Sequence, residues 1–281
     1  MPLKHLIGLD HVVVAVRDLD AAAAAWKKLG FTVSPRGTHS AHLGSGNYTI
    51  VFGDDYLELL GILNETPHNQ ATVQFLKAGE GIERTAFTTD DAAAGVAEVK
   101  ARGLAADGPV HFGRPVDLPN GGKSEAKFNI FRWPADEAPG GVRIFACQHL
   151  TPEAVWIPEL KTHANGAKGL VRVEVLTDKP KDAAAQLGRL IDQGATETAE
   201  GVRVATGGRR ADFLFYDAAA FARRYPDGVR QGTPAGGAVV IVIATDDLAK
   251  ARAIPGAVAH DGGVSVPASA ASGTVLHFVQ A

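Results

Sequence analysis

Few residues of this chain have chemical capacity, and two of them sit where polar groups are costly. His11 interrupts the apolar run LDHVVVAV (9–16). Strand alternation puts it on one face with Val13 and Ala15, and Asp10, Val12, Val14 and Val16 on the other. Glu58 lies between Leu57 and Leu59 in DYLELLGI (55–62) and shares a face with Tyr56 and Leu60. A carboxylate in so apolar a strand needs a partner or a cation if it is buried. Imidazole and carboxylate together suit Zn²⁺, Fe²⁺, Mn²⁺ or Ni²⁺. His39 and His42 have His-x-x-His spacing, but GTHSAHLGSGN (37–47) reads as glycine- and serine-rich loop, and a loop near a cavity mouth can supply a substrate contact. Cys147 is the sole cysteine, so an intramolecular disulfide and any multi-cysteine zinc site are excluded. It reads as a buried structural thiol, with no His–carboxylate pattern beside it. GGRR (207–210) fits a phosphate contact or a tight hairpin with solvated arginines, and NGG (120–122) and PGG (139–141) are turn signals. HFGRPVDLPNGGK (111–123) reads as a long surface connection able to cover a cavity, and phosphate-loop and dinucleotide fingerprints are absent.

The elements that carry these residues repeat. GLDHVVVAVRDLDAAAAAWKKLGF (8–31), GIERTAFTTDDAAAGVAEVKARGL (81–104) and GLVRVEVLTDKPKDAAAQLGRLIDQGA (169–195) share one plan. A glycine opens a strand-like run, an Asp-containing turn follows, and an alanine-rich helix ends at Gly30, Gly103 or Gly194. A fourth, weaker copy is GGAVVIVIATDDLAKARAIPGA (236–257). Alanine favours helix and lets it lie close to a sheet. Asp18, Asp20, Asp90, Asp91, Asp246 and Asp247 are placed to cap helix N-termini, and the glycines fit the left-handed position after the C-terminus. The alanine tract at 218–220 stands outside the pattern. Three further strand-like stretches follow each helix, so the unit is βαβββ, four times over. The Pro-containing segment 151–168 matches neither neighbour and reads as a linker, with Trp156 available to dock on the first pair. The expected organisation is a first pair of modules over 1–150, the linker, and a second pair over 169–281.

The 281 residues carry a formal charge of −3, with 46% apolar and 21% charged residues. That balance gives no electrostatic footprint for nucleic acid or anionic membrane. The N-terminus has neither a signal-peptide layout nor a membrane-spanning length. The expectation is a soluble, cytoplasmic protein that binds a small molecule, with open sheet edges that leave room for a homodimer.

LDHVVVAVRDLDAAAAAWKKLGF followed by DYLELLGI resembles the opening module of the vicinal oxygen chelate superfamily, and QHLTPEAVW (148–156) fits its glyoxalase-like branch. That superfamily includes glyoxalase I, extradiol dioxygenases, and fosfomycin- and bleomycin-resistance proteins. The resemblance implies an α+β fold in which paired βαβββ modules form two incomplete-barrel halves. It also implies a metal ligand from the first and last strand of each module, which places His11 and Glu58 in the ligand positions of module one. In module two the counterparts are Arg84 and Phe145, with His149 displaced toward the strand end as the candidate third ligand. Arg84 would pair with Glu58 across the cavity or clamp a substrate carboxylate bidentately. In the second half the counterparts are Arg172, roughly Val239, Leu214 and His277.

Three functions follow from the resemblance. The leading one is a metal-assisted lyase or isomerase, like lactoylglutathione lyase, acting on a small oxygenated metabolite in the N-terminal cavity. It would use one divalent metal on His11, Glu58 and His149, with Glu58 moving a proton and Arg84, His39 and His42 contacting substrate. The alternative is a metal-free binding protein of sequestration or resistance type, favoured by Arg84 and Phe145 in place of ligands. The third is an extradiol-type dioxygenase, disfavoured because the second half lacks a His, His, Glu set.

Overall fold

A computed structural model describes residues 3–118 and 121–281, which leaves Asn120 of the NGG turn signal outside the described residues. The repeat forms as the sequence implies. Module one runs β1 (Gly8–Val16), α1 (Leu19–Lys28), β2 (Gly37–Thr38), β3 (Ser45–Val51) and β4 (Tyr56–Ile62). Helix α2 (Gln70–Ala78), unforeseen in the sequence, leads to module two: β5 (Gly81–Thr88), α3 (Ala92–Ala101), β6 (Asp107–Asp117), β7 (Lys123–Arg132) and β8 (Arg143–His149). Module three is β9 (Ala167–Leu176), α4 (Pro180–Ile191), β10 (Ala195–Glu197), β11 (Val202–Val204) and β12 (Asp212–Tyr216). Helices α5 (Ala218–Arg224) and α6 (Asp227–Arg230) precede module four: β13 (Gly237–Thr245), α7 (Leu248–Arg252), β14 (Val258–His260), β15 (Gly263–Val266) and β16 (Val275–Gln280). The stretch 111–123, expected as a connection, is thus largely the β6–β7 hairpin.

Capping explains where the helices begin. Asp18 accepts the Ala21 N–H at 2.9 Å, Asp91 those of Ala93 and Ala94, and Asp247 that of Ala249 at 2.8 Å. Gly30 and Gly103 take the left-handed conformation after α1 and α3, with φ of 85° and 75°. After α4 that position belongs to Asp192 (φ 56°) instead of Gly194; a short polar side chain tolerates it.

The strands form two eight-stranded sheets, β2-β3-β4-β1-β5-β8-β7-β6 and β10-β11-β12-β9-β13-β16-β15-β14. At each centre the first strands of two modules run antiparallel, and each is flanked by its own module's last strand in parallel. In the first sheet the edge strands β2 and β6 approach one another, so it curls into a nearly closed barrel. The outer faces of both sheets and their helices share one apolar core. Trp26 is fully buried there, Phe31 packs on Phe278 and Phe87 stacks on Phe213, each at 6.2 Å between ring centroids. Among the described residues no helix is long and apolar enough to cross a membrane.

The two barrel interiors differ. In the second, Phe221, Tyr225 and Val229 from the α5–α6 segment pack against Leu214, Val240 and Val275 and fill the concave face. The alanine tract at 218–220 therefore builds a plug, started by the Asp217 cap on Ala220 at 2.8 Å. In the first barrel the linker closes one end: Ala154, Val155, Ile157 and Leu160 are buried with Tyr56, Phe128 and Cys147. Trp156 docks as expected, its ring centroid 5.9 Å from that of Tyr56 and 4.6 Å from that of His149.

Asp55, in the turn before β4, ties the first sheet to β9 by accepting the Leu170 N–H at 3.1 and 3.2 Å. Burial raises its carboxyl from the ordinary 3.8 to about 7, against the opposing effects of the Leu170 N–H and Arg210. The folded protein therefore keeps this proton over a range where the unfolded chain has released it. The group's contribution to stability is full below pH 3.8 and is lost as pH rises through 7. Asp55→Asn is expected to match the wild type in thermal melts near pH 4 and to exceed it near pH 8. Equal stability of the two proteins near pH 8 would contradict this.

Candidate functional site

The open end of the first barrel leads to a cavity of about 500 Å³, a size suited to a small-molecule ligand. Its polar wall carries His11, Glu58 and four arginines, Arg84, Arg114, Arg132 and Arg143. Its apolar wall includes Phe112, Phe128, Phe145 and Trp133.

His11 is set from behind. The β1–β5 register shifts between Leu9 and His11, so Asp10 is a bulge residue and does not follow the simple alternation. Its carboxylate is wholly buried. Oδ1 accepts from His11 Nδ1 at 2.6 Å and His149 Nε2 at 3.0 Å, and Oδ2 accepts from Thr88 Oγ1 at 2.7 Å. Burial acts to raise this carboxyl, but the charge of His149 and the hydrogen bonds from both imidazoles outweigh it and hold it well below the usual range. With Nδ1–H committed to Asp10, His11 presents Nε2 toward the cavity, 3.7 Å from Glu58 Oε2 and 3.4 Å from the Tyr56 hydroxyl. Tyr56 stacks on the imidazole at 4.2 Å and Phe145 meets it edge-on at 5.4 Å. Glu58 Oε1 accepts from Asn47 Nδ2 at 2.7 Å. Burial would raise Glu58, but His11, His39 and this hydrogen bond keep it below its ordinary value, hence ionised.

The second module repeats the plan with the cation exchanged. Gly8 and Gly81 open their strands with φ of 148° and 146°, and Glu83 occupies a bulge as Asp10 does. Glu83 is buried between Arg84, whose Nε lies 3.1 Å from Oε2, and Arg143. The expected Arg84–Glu58 pair is thus replaced by a pair with the preceding residue, and Glu58 acts on Arg84 only through space. Phe145 does stand opposite Glu58: Glu58 lies beside Val13 in the β1–β4 register, and Phe145 beside Ala86 in that of β5 and β8. Arg114 is only 7% exposed, and Arg132 is half-buried. Among the described residues neither has a carboxylate within the 4.0 Å of an ion pair.

Of the other residues singled out from sequence, His39 lines the cavity and shares a hydrogen bond with Ser45 Oγ at 2.8 Å. Burial pushes its imidazole down to about 4, so it is neutral at pH 7. His42 is exposed and outside the cavity wall, 5.2 Å ring to ring from His68, which does line it. His149 lies behind His11 on Asp10, apart from the cavity lining and from Glu58. Cys147 lines the cavity, but burial and the nearby Asp10 and Glu58 push its thiol up, which keeps it protonated. GGRR is a tight turn whose Arg210 packs on Gly8 and bonds the Asp54 carbonyl. In the second half, Glu174 is buried among Arg172 (2.9 Å), Arg224 (3.1 Å) and the Tyr225 hydroxyl (3.0 Å). His277 is spent on Ser265 at 2.9 Å; the module-four counterpart of Arg172 is Val240, one residue beyond the expected Val239.

Asp10, His11 and His149 offer three ligand atoms within 4.8 Å of one another. Two imidazoles and a carboxylate suit a divalent ion, and the buried Nδ1 of His149 has no hydrogen-bond partner. Glu58 of the expected ligand set is replaced in this cluster by Asp10, and only His11 of the three faces the cavity.

A family model described as a glyoxalase-like domain matches residues 9–191. No curated protein matches the chain by sequence. Among solved structures, the chain is similar to a hypothetical protein from Staphylococcus aureus at 13% identity and a TM-score of 0.69, covering 97% of this chain and 99% of that one. It is also similar to a mutant 4-hydroxymandelate synthase from Streptomyces coelicolor at 14% identity and a TM-score of 0.58, covering 100% and 93%. A third likeness is to a xylose isomerase-like TIM barrel/4-hydroxyphenylpyruvate dioxygenase fusion protein, at 14% identity and a TM-score of 0.62, covering 100% of this chain and 50% of that one. At these identities the likeness is one of fold.

The hydrogen bonds of Asp10 give a direct test. Asp10→Asn substitutes an amide nitrogen for one accepting oxygen, and its three donors can no longer all be satisfied. A loss of about 3–5 kcal/mol is expected in chemical denaturation at neutral pH. A change below about 1 kcal/mol, within the range of exposed pairs, would remove Asp10 from this structural role.

Proposed function

Because the chain belongs to the glyoxalase-like domain family of the vicinal oxygen chelate superfamily, we propose that its N-terminal barrel binds a small organic anion without the help of a metal ion. The observation that carries this reading is Arg114, a buried guanidinium that faces the cavity with no carboxylate at ion-pair distance among the described residues. An unpaired buried charge is costly, and an incoming carboxylate or phosphate group relieves that cost through charge-assisted, bidentate hydrogen bonds. The two counterpart positions in module two support it further, since Arg84 is a cation and Phe145 is apolar. Among the described residues, His11 and Glu58 are the ligand-type groups of the cavity wall that approach one another, at 3.7 Å, and no third wall residue completes a cluster with them. That is fewer than the three protein ligands a catalytic metal ordinarily has.

A second reading rests on the Asp10–His11–His149 cluster. A divalent ion held there would supply Lewis-acid chemistry in principle. Its position behind His11 suits it better to fixing that imidazole than to meeting a ligand, so a lyase or isomerase reaction draws less support than binding.

Thermal melts with acetate, benzoate and inorganic phosphate test the proposal. The wild type is expected to melt higher with at least one of these anions, by mass action on the folded state, and to do so equally after EDTA treatment. Arg114→Gln is expected to lose the response while melting at or above the wild type without ligand, since an unpaired buried charge has been removed. No response in the wild type, or an equal one in the variant, would overturn the reading. A response lost with EDTA and restored by Zn²⁺ would favour the second.

A further inference from the structure

The β6–β7 hairpin orders the cavity wall along its length. Alternation puts Val110, Phe112 and Arg114 on the inner face of β6, and Phe128, Ile130 and Arg132 on that of β7. The register sets Phe112 against Phe128, stacked at 5.1 Å, and Val110 against Ile130. Arg114 pairs with Ala126, and Arg132 lies beside Asp107 at the other end of the ladder. The two arginines thus bracket an apolar strip from opposite ends. Arg132 lies six residue steps beyond Ala126 on β7, and at ~3.3 Å per step the two backbone anchors stand roughly 20 Å apart along the strand. The distance left for a ligand is shorter, because both side chains can reach inward.

The surroundings keep these two cations distinct from the rest. Arg84 and Arg143 already share the buried Glu83. Glu58, the carboxylate whose field acts most on Arg114, is engaged by Asn47 at 2.7 Å and lies 3.7 Å from His11 Nε2. Arg114 is the inner cation, close to the linker-closed end: Val155 lines the same cavity, and Arg114 borders Ala154 and Ile157. Arg132 is the outer one, half-buried beside the exposed Asp107.

We infer that the cavity is built for an elongated ligand with an acidic group at each end and an apolar middle: Arg114 takes the inner acid, Arg132 the outer one, and the Phe112–Phe128 and Val110–Ile130 pairs the segment between. This rests on the anion-binding reading and narrows it to a substrate class, α,ω-diacids and their analogues. One acid on one arginine would leave the second cation without a partner.

Calorimetric titration with succinate, adipate, suberate and sebacate, against butyrate, hexanoate, octanoate and decanoate, decides the matter. One dicarboxylate length is expected to bind at least about tenfold more tightly than the monocarboxylate of equal length, the gain of one added charge-assisted pair. Arg132→Gln and Arg114→Gln are each expected to bring that dicarboxylate down to the monocarboxylate level. Arg132→Lys, which keeps the charge but not the fork, should retain part of the advantage. Monocarboxylates that bind as tightly as dicarboxylates at every length would overturn the two-ended ligand while leaving anion binding intact. Failure of both series to bind would overturn the two-ended ligand, and with no melting response to benzoate or inorganic phosphate either it would remove anion binding as well.

Discussion

The site is organised around one buried carboxylate. Asp10 accepts hydrogen bonds from its neighbour on β1, from Thr88 on β5 and from His149 at the end of β8, so a single ionised group joins three strands and both modules of the first barrel. A carboxylate without solvent is tolerable only when its lone pairs are met this fully. The bulge that turns Asp10 toward these donors also fixes the tautomer of His11, and with it the nitrogen that faces the cavity. Glu83 solves the same problem in the second module with two guanidiniums. The two modules therefore share a backbone device and differ in the cation it carries, imidazole in one and guanidinium in the other.

The second barrel shows what the fold does when that interior is given up. The α5–α6 segment contributes Arg224 and Tyr225 to Glu174, and Phe221, Tyr225 and Val229 to the apolar filling, so an acid that could have faced a ligand is satisfied from within the chain. Filling one barrel and leaving the other hollow assigns them separate tasks: the first holds the cavity, and the second supports it through the shared outer core.

The repeat was legible because its signals are local: strand, Asp cap, alanine helix, glycine stop. The glycine stop holds after α1 and α3, and after α4 Asp192 takes the position through its own tolerance for the left-handed region. The site was legible only in part. His11, Glu58 and Arg84 stand together on the cavity wall as the module alignment implies. Alternation puts Asp10 on the opposite face only in an unbroken ladder, and the bulge that breaks it leaves no mark in composition. Arg114, Arg132 and Arg143 escaped notice because arginine in a strand ordinarily lies on a solvated face. Only barrel closure turns those faces inward, and closure depends on β2 meeting β6 far away in sequence. His42 misled for the opposite reason, since its spacing to His39 is local while the cavity is not.

The three tryptophans happen to be distributed one to each part of this architecture. Trp26 is sealed in the core beneath α1, Trp156 rests on His149 behind the site, and Trp133 lines the cavity. The chain thus carries an intrinsic optical reporter with a built-in reference. Trp133 is placed to report what enters the barrel, Trp156 the docking of the linker on the imidazole tilted against it at 4.6 Å, and Trp26 the integrity of the core. Ligand entry, linker docking and unfolding consequently act on different tryptophans of the unlabelled protein.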